Sequence, residues 1–186
     1  MFERRIPEWV RHAPAPSVRG FAILAGFEAV ARGILISVFP VAMYNAYQDA
    51  ARISSIYFVI GTVSLVVGLL VPFLNRYIPR RWMYAIGNLG FVVGSGLAIL
   101  GSPEMIALAL VLNSLATVIT FVCFNAYVLD YISRIELGKC ETLRMFYSAL
   151  GWTVGPVLGV SLWGMWKPAP FLISGIAAAT MLCTFF

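Results

Sequence analysis

Apolar residues in this chain do not alternate or recur every third or fourth position. They fill long runs, broken by short polar clusters. A helix crosses the ~30 Å hydrocarbon core of a bilayer with ~20 residues. By that length the runs predict six membrane-spanning helices, at about 20–44, 53–75, 82–101, 105–131, 143–166 and 170–186. The breaks carry their own signals. "NRYIPRR" (75–81) is basic and holds a proline that interrupts a helix. "GSPEM" (101–105) reads as a helix stop followed by Ser102 as N-cap, with Pro103 at the first helical position. "ISRIELGKCETL" (132–143) is the longest polar stretch and is expected to be a loop. "WKPAP" (166–170) is expected to be a tight turn with an interfacial tryptophan.

Composition sharpens this to an all-α membrane protein. Of the 186 residues, 61% are hydrophobic and 11% charged, with a mean hydropathy of +0.89. Soluble domains carry about 25% charged residues, so this chain lacks the polar side chains to coat a globule. The net charge of +5 does not point to nucleic acid, because the basic residues sit in the gaps between apolar runs and not on one face or in a tail. The expected surroundings are the lipid bilayer. Of the three cysteines, Cys123 and Cys183 fall in apolar runs and Cys140 in the charged stretch. No C-x-x-C or Cys/His cluster supports a metal or a disulfide framework. His12, the one histidine, reads as a solvated residue. Neither cofactor nor metal is expected. No Gly-x-Ser-x-Gly, paired aspartates or His-Glu-x-x-His is present to support an intramembrane enzyme.

Lysine and arginine set the orientation. Arg4, Arg5, Arg11 and Arg19 precede the first run. Arg76, Arg80 and Arg81 follow the second, and Arg134, Lys139 and Arg144 follow the fourth. These ten of thirteen share one side, against Arg52 and Lys167 on the other. The N-terminus is therefore expected in the cytoplasm, and residues 1–19 form a cytoplasmic segment without the apolar core of a cleavable signal. Its stretch "RIPEWVRH" either lies along the membrane surface or is unstructured.

The thirteenth basic residue, Arg32, lies inside the first run with Glu28. An ionised side chain at mid-bilayer costs roughly 2.5–3.5 kcal/mol on insertion scales. The i, i+4 spacing puts the two side by side on one face, with the acid on the N-terminal side, the favourable order. That face must look into the bundle or a wet cavity. Two readings are open: an ion pair that fixes helix packing, or a site in which Arg32 offers a fork to an anionic group and Glu28 exchanges a proton.

The fourth run adds a stripe: Asn113, Thr117, Thr120, Phe124, Tyr127 and Tyr131 are spaced 4, 3, 4, 3, 4. Such a polar and aromatic line can border a cavity, or hold neighbouring helices by hydrogen bonds. Glu28, Arg32, Asn113, Thr117, Thr120, Phe124 and Tyr127 are thus the candidate solute- or proton-binding residues. In the fifth run Gly151, Gly155 and Gly159 recur every four residues, an interval that lets a neighbouring backbone approach closely. Pro156 removes a helix hydrogen bond. Gly90 and Gly94 form a related pair in the third run.

The segment "GWTVGPVLGV" resembles the fifth-helix signature of major facilitator superfamily transporters, Gly-x-x-x-Gly-Pro-x-x-Gly-Gly. Gly151, Gly155, Pro156 and Gly159 match it, and Val160 replaces the last glycine. A basic loop between helices two and three also fits the family, although Val71, Asn75 and Ile78 stand where its motif has Gly, Asp and Gly. Asn113 is the residue nearest to the fourth-helix arginine of proton-coupled drug exporters. The resemblance implies the N-terminal half of a twelve-helix secondary transporter, built as two three-helix inverted repeats. It implies transport across a bacterial inner (plasma) membrane, and Arg32 leads us to expect a small polar or anionic solute. The partner would be the C-terminal half of the same transporter or a second copy; an assembly factor of the same fold, without transport, is the alternative. It also implies that Arg76 or Arg80 pairs with Asp130 as a gating contact.

Overall fold

The computed structural model describes residues 18–185. They form six helices: α1 (Val18–Tyr47), α2 (Ala50–Leu74), α3 (Arg80–Ile99), α4 (Pro103–Tyr131), α5 (Arg134–Met165) and α6 (Ala169–Phe185). The first five are long and apolar enough to cross a membrane; α6 is equally apolar and has 17 residues. The chain is an all-α, multi-pass membrane protein. "RIPEWVRH" and His12 lie outside the described residues. Val18 and Arg19, expected in the leading segment, already belong to α1.

The connections are short and have local causes. Gln48 takes a left-handed φ of 51° and ends α1. Asp49 then caps α2, accepting from the N–H groups of Ala51 and Arg52 at 2.9 and 3.2 Å. Gly101, at φ 78°, turns the chain out of α3 where a side chain would be strained. Ser102 caps α4 through the Met105 N–H at 3.4 Å.

One stretch departs from expectation. Residues 134–142 are not a loop but the opening turns of α5. Ser133 accepts from the Glu136 N–H at 3.4 Å and donates to the Glu136 carboxylate at 3.2 Å, an S-x-x-E cap. Thr142 donates to the Gly138 carbonyl, and Arg144 pairs with Glu141. Polarity here marks departure from lipid, not the end of a helix. Cys140, placed by expectation in that loop, is fully buried in α5.

Helix α1 is the most enclosed span, while α5 and α2 are the least. It lies along α5 and also touches α6 and α4. Helix α4 lies along α3 and α2, and α3 meets α6. Lipid tails are as apolar as leucine, so close backbone packing and not the hydrophobic effect holds such helices together. The α1–α5 seam shows this. A Cβ on Gly151 would come 2.7 Å from the Ala29 Cβ, and one on Gly155 would come 2.6 Å from the Gly33 carbonyl carbon. One on Gly159 would collide with the Ile34 carbonyl oxygen. Ser37 of α1 donates to the Pro156 carbonyl at 2.9 Å. The α3–α4 seam is similar: a Cβ on Gly90 would come 3.1 Å from the Ala116 Cβ.

Two apolar clusters stack along the bundle. One joins Phe21, Leu24, Tyr84, Phe91, Phe124 and Met181; the other joins Ile34, Val38, Met43, Ile60, Leu110 and Phe171. Glu28 and Arg32 fall on α1 between its contributions to the two.

Candidate functional site

Glu28 and Arg32 form an ion pair, with Arg32 Nη1 donating to Glu28 Oε1 at 3.0 Å. The Glu28 side chain is 10% exposed and that of Arg32 23%, so the acid is nearly sealed and the base reaches further out. The Arg32 guanidinium also lies 5.3 Å from the centroid of the Trp152 ring on α5, a favourable cation–π distance.

Arg32 reaches into a cleft of about 190 Å³. Its walls are Arg32, Leu35, Ile36 and Phe39 of α1, Tyr57 of α2, Leu110, Asn113, Ser114 and Thr117 of α4, and Trp152 of α5. Helices α3 and α6 contribute nothing to it. The Asn113 Nδ2 and the Tyr57 hydroxyl are buried and have no hydrogen-bond partner among the described residues. Unpaired buried donors carry a free-energy cost; the two residues line the cleft with Arg32, while these two atoms are closed off from it. Two larger cavities carry less chemistry. One of about 430 Å³ between α1 and α5 is lined mainly by apolar residues such as Phe27, Val30 and Leu150. The other, about 390 Å³, lies at the end of the bundle that holds Asn45 and Lys167.

The expected α4 stripe divides. Asn113 and Thr117 face the cleft. Thr120 and Phe124 do not: both are fully buried in helix contacts. The Thr120 hydroxyl donates to the Ala116 and Thr117 carbonyls at 2.8 and 3.1 Å. The Phe124 ring lies between Phe21 and Tyr84, at 5.7 and 6.3 Å. Tyr127 stacks with Tyr131 at 5.9 Å and meets Phe185 edge-on at 5.3 Å, away from the cleft. Beyond Thr117 other helices cover the stripe: Thr120 lies against Gly87 of α3, Phe124 against Phe21 of α1 and Tyr84 of α3, and Tyr127 against Phe185 of α6.

Arg80 at the start of α3 forms an ion pair with Asp130 at the end of α4. Arg76 has no ion-pair partner among the described residues. Both members of the Arg80–Asp130 pair are well exposed, at 40% and 53%, and such a pair contributes roughly 0–1 kcal/mol. Gly151, Gly155, Pro156 and Gly159 line the α1–α5 seam, which holds Trp152 against Arg32.

Sequence reasoning missed Tyr57, Ser114 and Trp152. Tyr57 carried a signal as the only phenol in the second apolar run, and Trp152 as the residue beside Gly151 in the glycine motif. It also missed Arg144. That side chain, 11% exposed, donates to Asn125 Oδ1 at 3.0 Å and lies 4.5 Å from the Phe124 ring centroid. It ties α5 to α4.

No curated protein matches the chain. The family model of the Major Facilitator Superfamily matches residues 21–186, which take in α2 to α6 and all but the first three residues of α1. With its spans, its glycine–proline seam and that match, the chain belongs to the major facilitator superfamily of membrane transporters.

Proposed function

We propose that this chain is the N-terminal half of a secondary transporter that moves a small polar or anionic organic solute by alternating access. The observation that carries the reading is the Arg32 guanidinium, largely enclosed, in a cleft that the polar residues Tyr57, Asn113, Ser114 and Thr117 also line. A polar or anionic solute there accepts from the guanidinium N–H groups that Glu28 leaves free among the described residues. In many transporters such a site lies near the midplane between two repeats. Arg32 and Asn113 sit near the middle of α1 and α4. The second wall of the cleft comes from the C-terminal half of the transporter or from a second copy.

The helix contacts support the inverted-repeat layout. Exchanging α1, α2 and α3 for α4, α5 and α6 maps the α1–α5 seam onto α4–α2 and the α1–α6 seam onto α4–α3. The asymmetry of basic residues supports a cytoplasmic N-terminus. The Arg80–Asp130 pair then lies at the cytoplasmic face, where it holds α3 to α4 in one state and lets go in the other. Weak pairs suit that role, because a latch must open.

The test is uptake and counterflow in proteoliposomes with a panel of small organic anions, cations and neutral solutes, comparing wild type with Arg32→Ala. Anion flux that vanishes in folded Arg32→Ala supports the reading. Unchanged flux per folded molecule sinks it. Absence of any flux, with stoichiometric capture of one fixed membrane partner, favours an assembly factor instead.

A further inference from the structure

We propose that the cleft takes a small aromatic monocarboxylate, with its carboxylate on Arg32 and its ring against Trp152; this rests on the transporter reading of the same site. The charge inventory limits the solute first. Arg32 is the one charged residue in the lining. A guanidinium has five N–H donors, and among the described residues only Nη1 is engaged by an acceptor, Glu28 Oε1. The free donors match a planar, two-oxygen anion. A second negative charge on the solute would have no cation to meet and would lie near the Glu28 carboxylate. A cationic solute would face the guanidinium directly.

The walls limit the body of the solute. Trp152 already presents its ring to Arg32, and Phe39 and Tyr57 add aromatic surface to the same space. A flat ring carried by a carboxylate seated on Arg32 meets these rings in stacked or edge-on contact, which stabilises beyond area burial alone. Leu35, Ile36 and Leu110 complete an apolar lining.

Four probes separate these features: benzoate, neutral benzamide, non-aromatic cyclohexanecarboxylate and doubly charged terephthalate. Binding is measured by calorimetry on the protein purified from its native membrane and placed in lipid nanodiscs. Benzoate is expected to bind at least about tenfold more tightly than benzamide or terephthalate. It is expected to bind roughly three- to tenfold more tightly than cyclohexanecarboxylate. Trp152→Leu should erase the aromatic preference while keeping the preference for the acid over the amide. Arg32→Lys, which keeps the positive charge but not the planar fork, should weaken benzoate in protein that folds. Equal binding of benzoate and cyclohexanecarboxylate, or an aromatic preference that survives Trp152→Leu, overturns the aromatic inference and leaves the anion reading standing. If neither acid binds, both fall.

Discussion

Gly155 of α5 and Gly33 of α1 meet backbone to backbone: a Cβ on Gly155 would come 2.6 Å from the Gly33 carbonyl carbon and 2.9 Å from its Cα. No flexible side chain is present to yield. Gly155→Ala must therefore push α5 off α1 or fail to fold. We expect a loss of about 1–3 kcal/mol, the usual cost of overpacking, read as a lower midpoint in thermal unfolding in detergent. Gly61 and Gly164 have open space around them, so Gly61→Ala and Gly164→Ala should leave the midpoint unchanged or slightly higher.

The same seam positions the ion pair, since Gly151 precedes Trp152 and Trp152 covers Arg32. Glu28→Gln and Arg32→Gln should each destabilise, because each leaves a charge without its partner in a largely enclosed place. The double substitution should cost less than the sum of the two. A double-mutant cycle is expected to give a coupling of roughly 0.5–3 kcal/mol. A coupling of zero means that the two side chains contribute to stability independently.

For Arg80 and Asp130 the expected split runs the other way. Asp130→Asn should change unfolding stability by under about 1 kcal/mol, since the pair is exposed. It should nevertheless alter transport rate by shifting the balance of the two access states. Exchanging the two residues, as Arg80→Asp with Asp130→Arg, should restore the rate. A wild-type rate in Asp130→Asn argues against any gating role.

Arg144 is expected to behave as a structural tie. Its hydrogen bond to Asn125, its pairing with Glu141 and its place over Phe124 are all lost in Arg144→Ala. We expect a loss of roughly 1–3 kcal/mol in chemical denaturation, with substrate selectivity unchanged. A change in selectivity without loss of stability would place Arg144 in the transport path.

Some of this was legible in the residues and some was not, for physical reasons. Ser102 and Pro103 mark a helix start wherever they fall, and the structure has α4 beginning there. The first turns of α5 were misread because hydropathy reports lipid contact, whereas Ser133 and Glu136 report a helix cap; only the second signal bears on helix. Glu28 and Arg32 could be paired from spacing alone, because both lie on one helix. The α4 stripe could not be divided that way. Spacing fixes which residues share a face, but what covers that face is set by other helices. Thr120 and Phe124 meet α1 and α3, while Asn113 and Thr117 border the cleft. Tyr57 and Trp152 join the cleft from α2 and α5, a juxtaposition that no single-helix period encodes.

Access of water to the space beside Arg32 is measured most directly by cysteine labelling. In a background with Cys123, Cys140 and Cys183 replaced, single cysteines at Asn113, Thr117, Thr120 and Phe124 are exposed to a membrane-impermeant, negatively charged thiosulfonate in sealed vesicles. Rapid modification at 113 and 117, with 120 and 124 unreactive, is the expected result, since the first two line the cleft and the others are buried in helix contacts. Unreactive cysteines at 113 and 117 from both sides of the membrane, in protein that folds and inserts, would mean a dry interface and would contradict a solute path at Arg32.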